Sequence, residues 1–327
     1  MTTLTTPRPV LVIGGAIGDL ILTLPRLPLR GEDIAADEGG RAIGGCAFNV
    51  ARALRRLDLP VINGMPVGNG PWGALAEQAM AALALPVLLR DSQRDNGWCL
   101  ACVEADGERT FISIAGCETH WSHEQLAHLP LPPGALVYLS GYELAEAHCQ
   151  ALRDWLYRLP AHCTLLLDPG PRLPALPAEL WDRLPAGSVL TLNRDEIAQL
   201  CGEGDPVAAA ANFARRHAIH LICRLDANGA WLCSPEGGQS HLPAYAVQVA
   251  DTIGAGDAHC GGVLAGLALG LTLHQAVDLG NRVAAYVVSR TGPDGAPTRA
   301  QLQHAFPRRP RCCNVTRRRS VAAIHPR

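Results

Sequence analysis

The chain has no lysine: all 28 basic residues among its 327 are arginine. That excludes a phosphate-binding loop of the Gly-Lys-Ser/Thr kind and any enzyme that forms a Schiff base on a lysine amine. Phosphate has to be held by arginine, by backbone N–H groups or by a metal. A GC-rich coding sequence, which favours arginine codons, accounts for the bias without a functional cause. No apolar stretch reaches the ~18 residues that a membrane-spanning helix needs. No basic flank with a long apolar run opens the chain either. Val10–Ile13 is short and closed by Gly14-Gly15, the pattern of a strand and not of a signal peptide. Charged residues are scarce, at 18%, against 48% hydrophobic, and the formal net charge is −2. This is a core-forming composition that gives no reason to expect a nucleic-acid or membrane partner. Nor does a second Cys-x-x-Cys accompany Cys99 and Cys102, which would face opposite sides of a strand. With most of the twelve cysteines scattered through apolar runs, the expectation is buried, reduced thiols in a cytoplasmic protein.

What is present is an alternation. Short apolar runs at residues 10–13, 61–65, 87–89, 135–139, 164–167, 188–192 and 220–224 read as strands. Helical patterns lie between several of them, at residues 41–57, 73–85, 145–159 and 206–217. From Gly254 onward the pattern is mostly helical, at 256–269 and 273–289. Strands alternating with helices predict an α/β fold with a central, mostly parallel sheet flanked by helices. Residues 32–42 and 97–115 alternate polar and apolar, which suits half-exposed antiparallel strands. The second segment has a hairpin turn at Ala105-Asp106-Gly107. A small β-sheet of this kind could serve as a lid over a ligand. One domain is expected over residues 1–306. Residues 307–327 are basic, with seven arginines and no acid from Arg308 on, and read as a disordered tail.

The strongest local signal is Asp251-Thr252-Ile253-Gly254-Ala255-Gly256-Asp257, ahead of a long small-residue helix. Two glycines at a helix start let backbone N–H groups converge, and the helix dipole adds positive potential there. The result is an anion hole that needs no lysine. Asp257, in the first turn, is placed to accept a proton from an attacking hydroxyl. The spacing alone is equally compatible with a plain helix cap.

This motif resembles the C-terminal signature of the ribokinase-like (PfkB) carbohydrate kinases. Gly44-Gly45-Cys46-Ala47-Phe48-Asn49-Val50-Ala51 resembles the family's N-terminal G-G-x-x-x-N-x-A signature. Gly14 to Asp19 resembles the first strand and its substrate aspartate, Gly107 to Phe111 the lid strand, and Asn193-Arg194-Asp195-Glu196 the N-x-x-E motif. The likeness runs from about residue 9 to 306, in the family's order.

The resemblance implies a ribokinase-like fold with a small β-sheet lid, and an ATP-dependent kinase acting on a hydroxyl of a sugar or sugar-like molecule. A nucleoside kinase on the same fold, or a non-catalytic sugar or nucleoside sensor, are the alternatives. It implies Asp257 as base and Gly254, Ala255 and Gly256 as the anion hole. Asp19, Gly45 and Asn49 would hold substrate hydroxyls. Asn193, Arg224, Asp226, Gly229 and Asn281 would lie near the nucleotide. Glu196 and Asn193 would organise Mg²⁺ through water, and Asp251 and Thr252 would border a K⁺ loop. A homodimer paired through the lids is also implied.

Several residues stay open at this stage. Asp168, at a strand end in Asp168-Pro169-Gly170-Pro171-Arg172, is either a ligand contact or half of an Asp–Arg pair in a turn. Either Tyr142 or Glu143 faces the substrate. Trp98 stacks on a ligand or packs the lid. His120 and His259 read as incidental. Gly14-Gly15-x-x-Gly18 lacks the spacing of a dinucleotide fingerprint.

Overall fold

The buried run Val10–Ile13 sets the architecture, because its four side chains alternate between two separate cores. Val10 and Val12 enter one hydrophobic cluster, Leu11 and Ile13 the other. A strand covered on both faces must be apolar at every position, which is why it reads as a continuous run and not as an alternation. The computed structural model describes residues 6–307 except Glu146 and residues 291–294. The basic tail expected from residue 307 lies, after Pro307, outside the described residues.

In chain order the first elements are β1 (Val10–Ile13), β2 (Ile17–Thr23), β3 (Asp37–Gly44), α1 (Cys46–Arg56), β4 (Val61–Gly64), β5 (Pro66–Val67), α2 (Pro71–Ala82), β6 (Leu89–Arg90), β7 (Trp98–Val103) and β8 (Arg109–Ile114). There follow α3 (His123–Ala127), β9 (Leu136–Ser140), α4 (Gln150–Leu156), β10 (Thr164–Asp168), α5 (Leu180–Arg183), β11 (Val189–Asn193), α6 (Arg194–Cys201), α7 (Pro206–Arg216) and β12 (His220–Arg224). The rest are β13 (Ala230–Cys233), β14 (Gln239–Leu242), α8 (Ala255–Ala268), α9 (Leu273–Val288) and α10 (Arg299–Ala305).

The main sheet has the order β14-β13-β12-β11-β10-β9-β1-β4. It is parallel from β12 to β4 and antiparallel at β13 and β14. Helices α1, α2, α8 and α9 bury their apolar faces on one side. Helices α4, α5, α6 and α7 do so on the other. The expected α/β fold with a flanked, mostly parallel sheet is therefore present.

A separate four-stranded sheet has the order β3-β2-β7-β8. The hairpin β7–β8 forms as expected, with Gly107 at φ 88° in its turn. Three details differ from the sequence reading, the first being that the helix expected from residue 41 starts at Cys46, with Arg41 to Gly44 in β3. The strand expected from residue 32 begins only at Asp37 and continues to Gly44. And Ile17–Thr23 is a strand of the small sheet in its own right, so Asp19 does not sit at the end of β1. The segment is only partly buried along its length, so its pattern lacks the continuous apolar run of a central strand.

Helix α8 packs between α1 and α9 through glycines. A Cβ on Gly261 would stand 2.6 Å from Ala53 Cβ, and one on Gly262 would stand 2.7 Å from Gly280 Cα. The small-residue face thus sets how closely three helices approach. It also fixes where the first turn of α8 points, which is towards the carboxyl ends of the parallel strands.

Candidate active site

Five strand ends converge on one edge of the main sheet: Gly14-Gly15 after β1, Ser140 of β9, Asp168 of β10, Asn193 of β11 and Arg224 of β12. Open α/β sheets bind ligands outside such carboxyl ends. A cavity of about 860 Å³ lies there, with Ser140, Asp168, Asn193 and Arg224 in its wall.

Helix α8 enters the same wall. Gly254, at φ 73°, adopts the left-handed conformation that starts the helix, and no side chain caps it. The first-turn N–H groups have no intrahelical acceptor, Ala255 N donating instead to Thr252 O at 3.2 Å, and the positive end of the helix dipole is at the cavity. Gly254, Ala255, Gly256 and Asp257 all line the cavity.

Asp257 accepts a hydrogen bond of 2.8 Å from Asn49 Nδ2 on α1. Its pKa is raised, chiefly by burial and then by the charge of Asp168, while the Asn49 and Cys46 hydrogen bonds and Arg224 oppose the rise. Cys46, the first residue of α1, also lines the cavity. Asn49 is held in turn by Arg52, whose Nη1 donates to Asn49 Oδ1 at 3.3 Å and whose Nη2 donates to Ile43 O at 2.7 Å.

Asp19, Gly45 and Asn49 are not in that cavity wall. They stand beyond Asp257, towards the small sheet. Asp19 pairs with Ala42 of β3 and Cys99 of β7. A Cβ on Gly44 would stand 2.6 Å from Asp19 Oδ2. Burial pushes the Asp19 carboxyl up to about 6, and Arg52 opposes this. Gly45, at φ 90°, precedes α1, where a Cβ would meet Gly15 O at 2.9 Å. The Gly-Gly of the N-terminal motif is thus required sterically, beside β2 and the Gly14-Gly15 turn.

Glu143, not Tyr142, is the buried member of that pair. Its carboxylate accepts from Gly15 N at 3.0 Å and from Ser140 Oγ at 2.6 Å. Burial raises it to about 7. Tyr142 is the one in the cavity wall, with the Arg172 guanidinium 5.1 Å from its ring centre. Trp98 packs within the protein, stacked on Trp72 with centroids 5.9 Å apart. His120 stacks on His148.

Asp168 does form an ion pair, but with Arg224 and not with its neighbour Arg172. Arg224 Nη1 and Nη2 donate to Asp168 Oδ2 and Oδ1 at 3.1 and 3.2 Å. Nη2 also reaches Glu196 Oε2 at 3.4 Å. Cys260 Sγ of α8 donates to Asp168 Oδ2 at 3.3 Å. No local pattern could reveal a partner 56 residues away.

Asn193 and Glu196 form a reciprocal capping box at the start of α6. Asn193 Oδ1 accepts from Glu196 N at 2.8 Å, and Glu196 Oε2 accepts from Asn193 N at 2.8 Å. Asn193 Nδ2 donates to Glu196 Oε1. Both carboxylate oxygens already have donors. Among the described residues no group of three or more His, Cys, Asp or Glu is arranged to hold a metal.

At the far end of the cavity are Gly229 and Asn281. A Cβ on Gly229 would stand 2.2 Å from Leu242 O. Asn281 Nδ2 donates to Leu242 O and Pro243 O, and Asn281 Oδ1 lies 3.2 Å from His259 Nε2. His259 is therefore part of the cavity wall, and burial lowers its pKa to about 3, so it is neutral. Asp226 lines the wall but is highly exposed, 3.8 Å from Arg194. Thr252 is in the wall, while the Asp251 carboxylate pairs with Arg109 of β8 at 3.4 Å and accepts from Ile253 N.

The family model described as pfkB family carbohydrate kinase matches residues 8–299. The chain is 44% identical over 305 residues to an uncharacterized sugar kinase, YegV, of Escherichia coli (strain K12), covering 91% of this chain and 94% of that protein. The crystal structure of ribokinase from Thermotoga maritima superposes with a TM-score of 0.78 at 21% identity, covering 91% of this chain and 98% of that one. Arabidopsis thaliana ribokinase complexed with ribose and ATP superposes with a TM-score of 0.74 at 20% identity, covering 92% and 98%.

Proposed function

The chain belongs to the pfkB family of carbohydrate kinases, phosphotransferases with an alcohol group as acceptor, and from that premise we propose that it transfers the γ-phosphoryl of ATP to a hydroxyl of a sugar or nucleoside with Asp257 as base. The observation that carries this reading is the place of the Asp257 carboxylate. It sits in the first turn of α8 beside the Gly254–Gly256 amides, and its other face is bonded to Asn49. It thus joins the phosphate end of the cavity to the side where Asp19 and Gly45 stand.

In the step, the substrate hydroxyl oxygen forms a bond to the γ-phosphorus and the bond from that phosphorus to the β,γ-bridging oxygen breaks. The hydroxyl proton passes to Asp257, and ADP leaves. Developing charge on the moving phosphoryl would meet the N–H groups of Gly254 and Gly256, and that of Ala255, which bonds Thr252 O at 3.2 Å, by exchanging that acceptor. Asp19, Gly45 and Asn49 bind vicinal hydroxyls, for which carboxylate and carboxamide oxygens are suited acceptors. Arg224, Gly229 and Asn281 flank the nucleotide, with Asn193 and Asp226 at its rim. Arabidopsis ribokinase, which shares this fold, was solved with ribose and ATP.

The donor set fits Mg²⁺ only through water, since the Glu196 oxygens accept from Asn193 and Arg224. When bound, Mg²⁺ supplies charge neutralisation to the triphosphate, with Glu196 and Asn193 orienting its water shell. Asp251 and Thr252 would border the K⁺ loop. The small sheet acts as a lid that excludes water, which would otherwise compete as acceptor. Its outer strand β8 exposes Phe111, Ile112 and Ile114, a face suited to pairing two lids in a homodimer. ATP-dependent chemistry and free thiols suit the cytoplasm.

The test is ATP consumption by the purified protein across a panel of sugars and nucleosides, alongside calorimetric binding. Phosphorylation of one panel member above the rate without acceptor supports the reading. Tight binding of a panel member with no phosphorylation of any would replace it with the sensor.

A further inference from the structure

The cavity that would receive a triphosphate is unusually acidic. Asp168, Glu196, Asp226 and Asp257 are in its wall, and among the described residues Arg224 is the cationic side chain there, His259 being neutral. A chain without lysine must meet several phosphate charges with arginine, amides or metal.

Arg224 is placed where that charge would develop. It ends β12, opposite Asn193 at the end of β11. Its Nη1 stands 2.5 Å from the point where a Cβ on Gly256 would be. The guanidinium therefore meets the first turn of α8 through Nη1, and a side chain at position 256 would have to displace it. Three of its five N–H donors have acceptors: Nη1 gives one to Asp168, and Nη2 gives one each to Asp168 and Glu196. Nε is buried with no acceptor, and Nη1, beside Gly256, bonds Asp168. A buried donor without a partner is costly for a purely structural ion pair to leave. The two carboxylates hold the fork in one orientation, and the thiol of Cys260 in α8 steadies Asp168 from the other side.

From this geometry we infer that Arg224 is a catalytic residue that binds the transferring phosphoryl of ATP beside the Gly256 amide, and that Asp168 and Glu196 are positioning residues that aim its guanidinium. The inference rests on the kinase reading above. The guanidinium and the first-turn amides lie side by side, so the moving phosphoryl meets both along one edge of the cavity while Asp257 takes the proton. Arginine serves this better than lysine because its planar fork can keep its bonds to Asp168 and still present an N–H edge to phosphate.

The experiment compares wild type with Arg224→Lys and with the double variant Asp168→Asn/Arg224→Gln, which removes the Asp168–Arg224 pair of charges together and leaves Glu196 its bonds from Asn193. Circular dichroism and thermal melting establish that each is folded; where one is not, the other is read. Calorimetry measures ADP and a non-hydrolysable ATP analogue. Steady-state kinetics at saturating ATP, with the best acceptor of the panel, measures kcat, with and without added guanidinium ion for the double variant. The expected result is a loss of about 10²–10³-fold in kcat, a loss of affinity at least tenfold larger for the ATP analogue than for ADP, and partial recovery of rate by guanidinium. A folded variant with kcat within threefold of wild type, or with equal losses for ADP and the ATP analogue, makes Arg224 a structural ion pair only and overturns the inference. Wild type that binds neither nucleotide overturns the kinase reading and this inference together. Wild type that binds the ATP analogue while the variants lose nothing overturns this inference alone.

Discussion

Two aspartates, Asp19 of the small sheet and Asp257 of α8, hold their protons more tightly than free aspartate, for the same reason, burial. With Asp257 as the proposed base, activity is expected to be lost on the acid side at a higher pH than a free aspartate would set, because kcat/KM falls as pH drops through its raised pKa. For Asp19 the native value of about 6 lies above the unfolded 3.8. A raised native pKa favours the fold at low pH, and that contribution is lost as pH rises through about 6. Asp19→Asn removes the ionised, desolvated form. Allowing for solvent screening at a side chain that is only partly buried, the variant is expected to be more stable than wild type by about 1–2 kcal/mol at pH 8. At pH 4 it should show no advantage, while its affinity for the acceptor falls at both. Thermal melts of the two proteins at both pH values check this; an equal difference at pH 4 and pH 8 contradicts it. Asp257 and Asn49 were legible because short motifs name them. Arg52 was not, since its role is to hold Asn49 across one turn of α1 and to oppose the rise at Asp19, and no spacing distinguishes it from any surface arginine.

Among elements, those with unbroken apolar periodicity were readable, and in the half-open small sheet the β7–β8 hairpin was readable through its turn while β2 was not. The strand pattern at residues 220–224 coincides with β12, and the helix expected at 206–217 is α7 within one residue. By contrast, Ile17–Thr23 escaped because an element of the small sheet buries its side chains only in part. Asn193-x-x-Glu196 shows how a motif can serve two levels at once. Its side chains close the start of α6, so Asn193→Ala is expected to cost about 1 kcal/mol of stability, measured by denaturant titration, whether or not nucleotide is present. No loss in the absence of nucleotide would leave the box without a structural role. Helix α8 depends on the absence of side chains. Because a Cβ on Gly262 would stand 2.7 Å from Gly280 Cα, Gly262→Ala must push α8 and α9 apart. A loss of about 1–3 kcal/mol is expected, together with a lower kcat as the first turn of α8 moves. Wild-type stability in that variant would show that the interface can slide at no cost.

At the scale of the molecule, one sheet edge gathers Asp168, Asn193 and Arg224, and a second sheet carries Asp19 beside Gly44 at the start of the N-terminal motif. The alternation of strands and helices announced the first sheet. The geometry between the two came from pairings over long sequence distances, such as Asn49 with Asp257 across 208 residues, and no local pattern encodes those. The outer face of β8 carries its own prediction. Ile112→Glu is expected to shift a lid-paired dimer to monomer in sedimentation, and a wild type already monomeric at high concentration contradicts the pairing. The central claim is that the carboxylate of Asp257 takes the proton of the acceptor hydroxyl. Its most direct measurement is kcat for Asp257→Asn on the best acceptor, with ATP and acceptor binding measured on the same preparation. The account predicts a fall in kcat of about 10²–10⁴-fold, with both ligands still bound within a few fold of wild type. An Asp257→Asn protein that binds both ligands and turns over at the wild-type rate contradicts it.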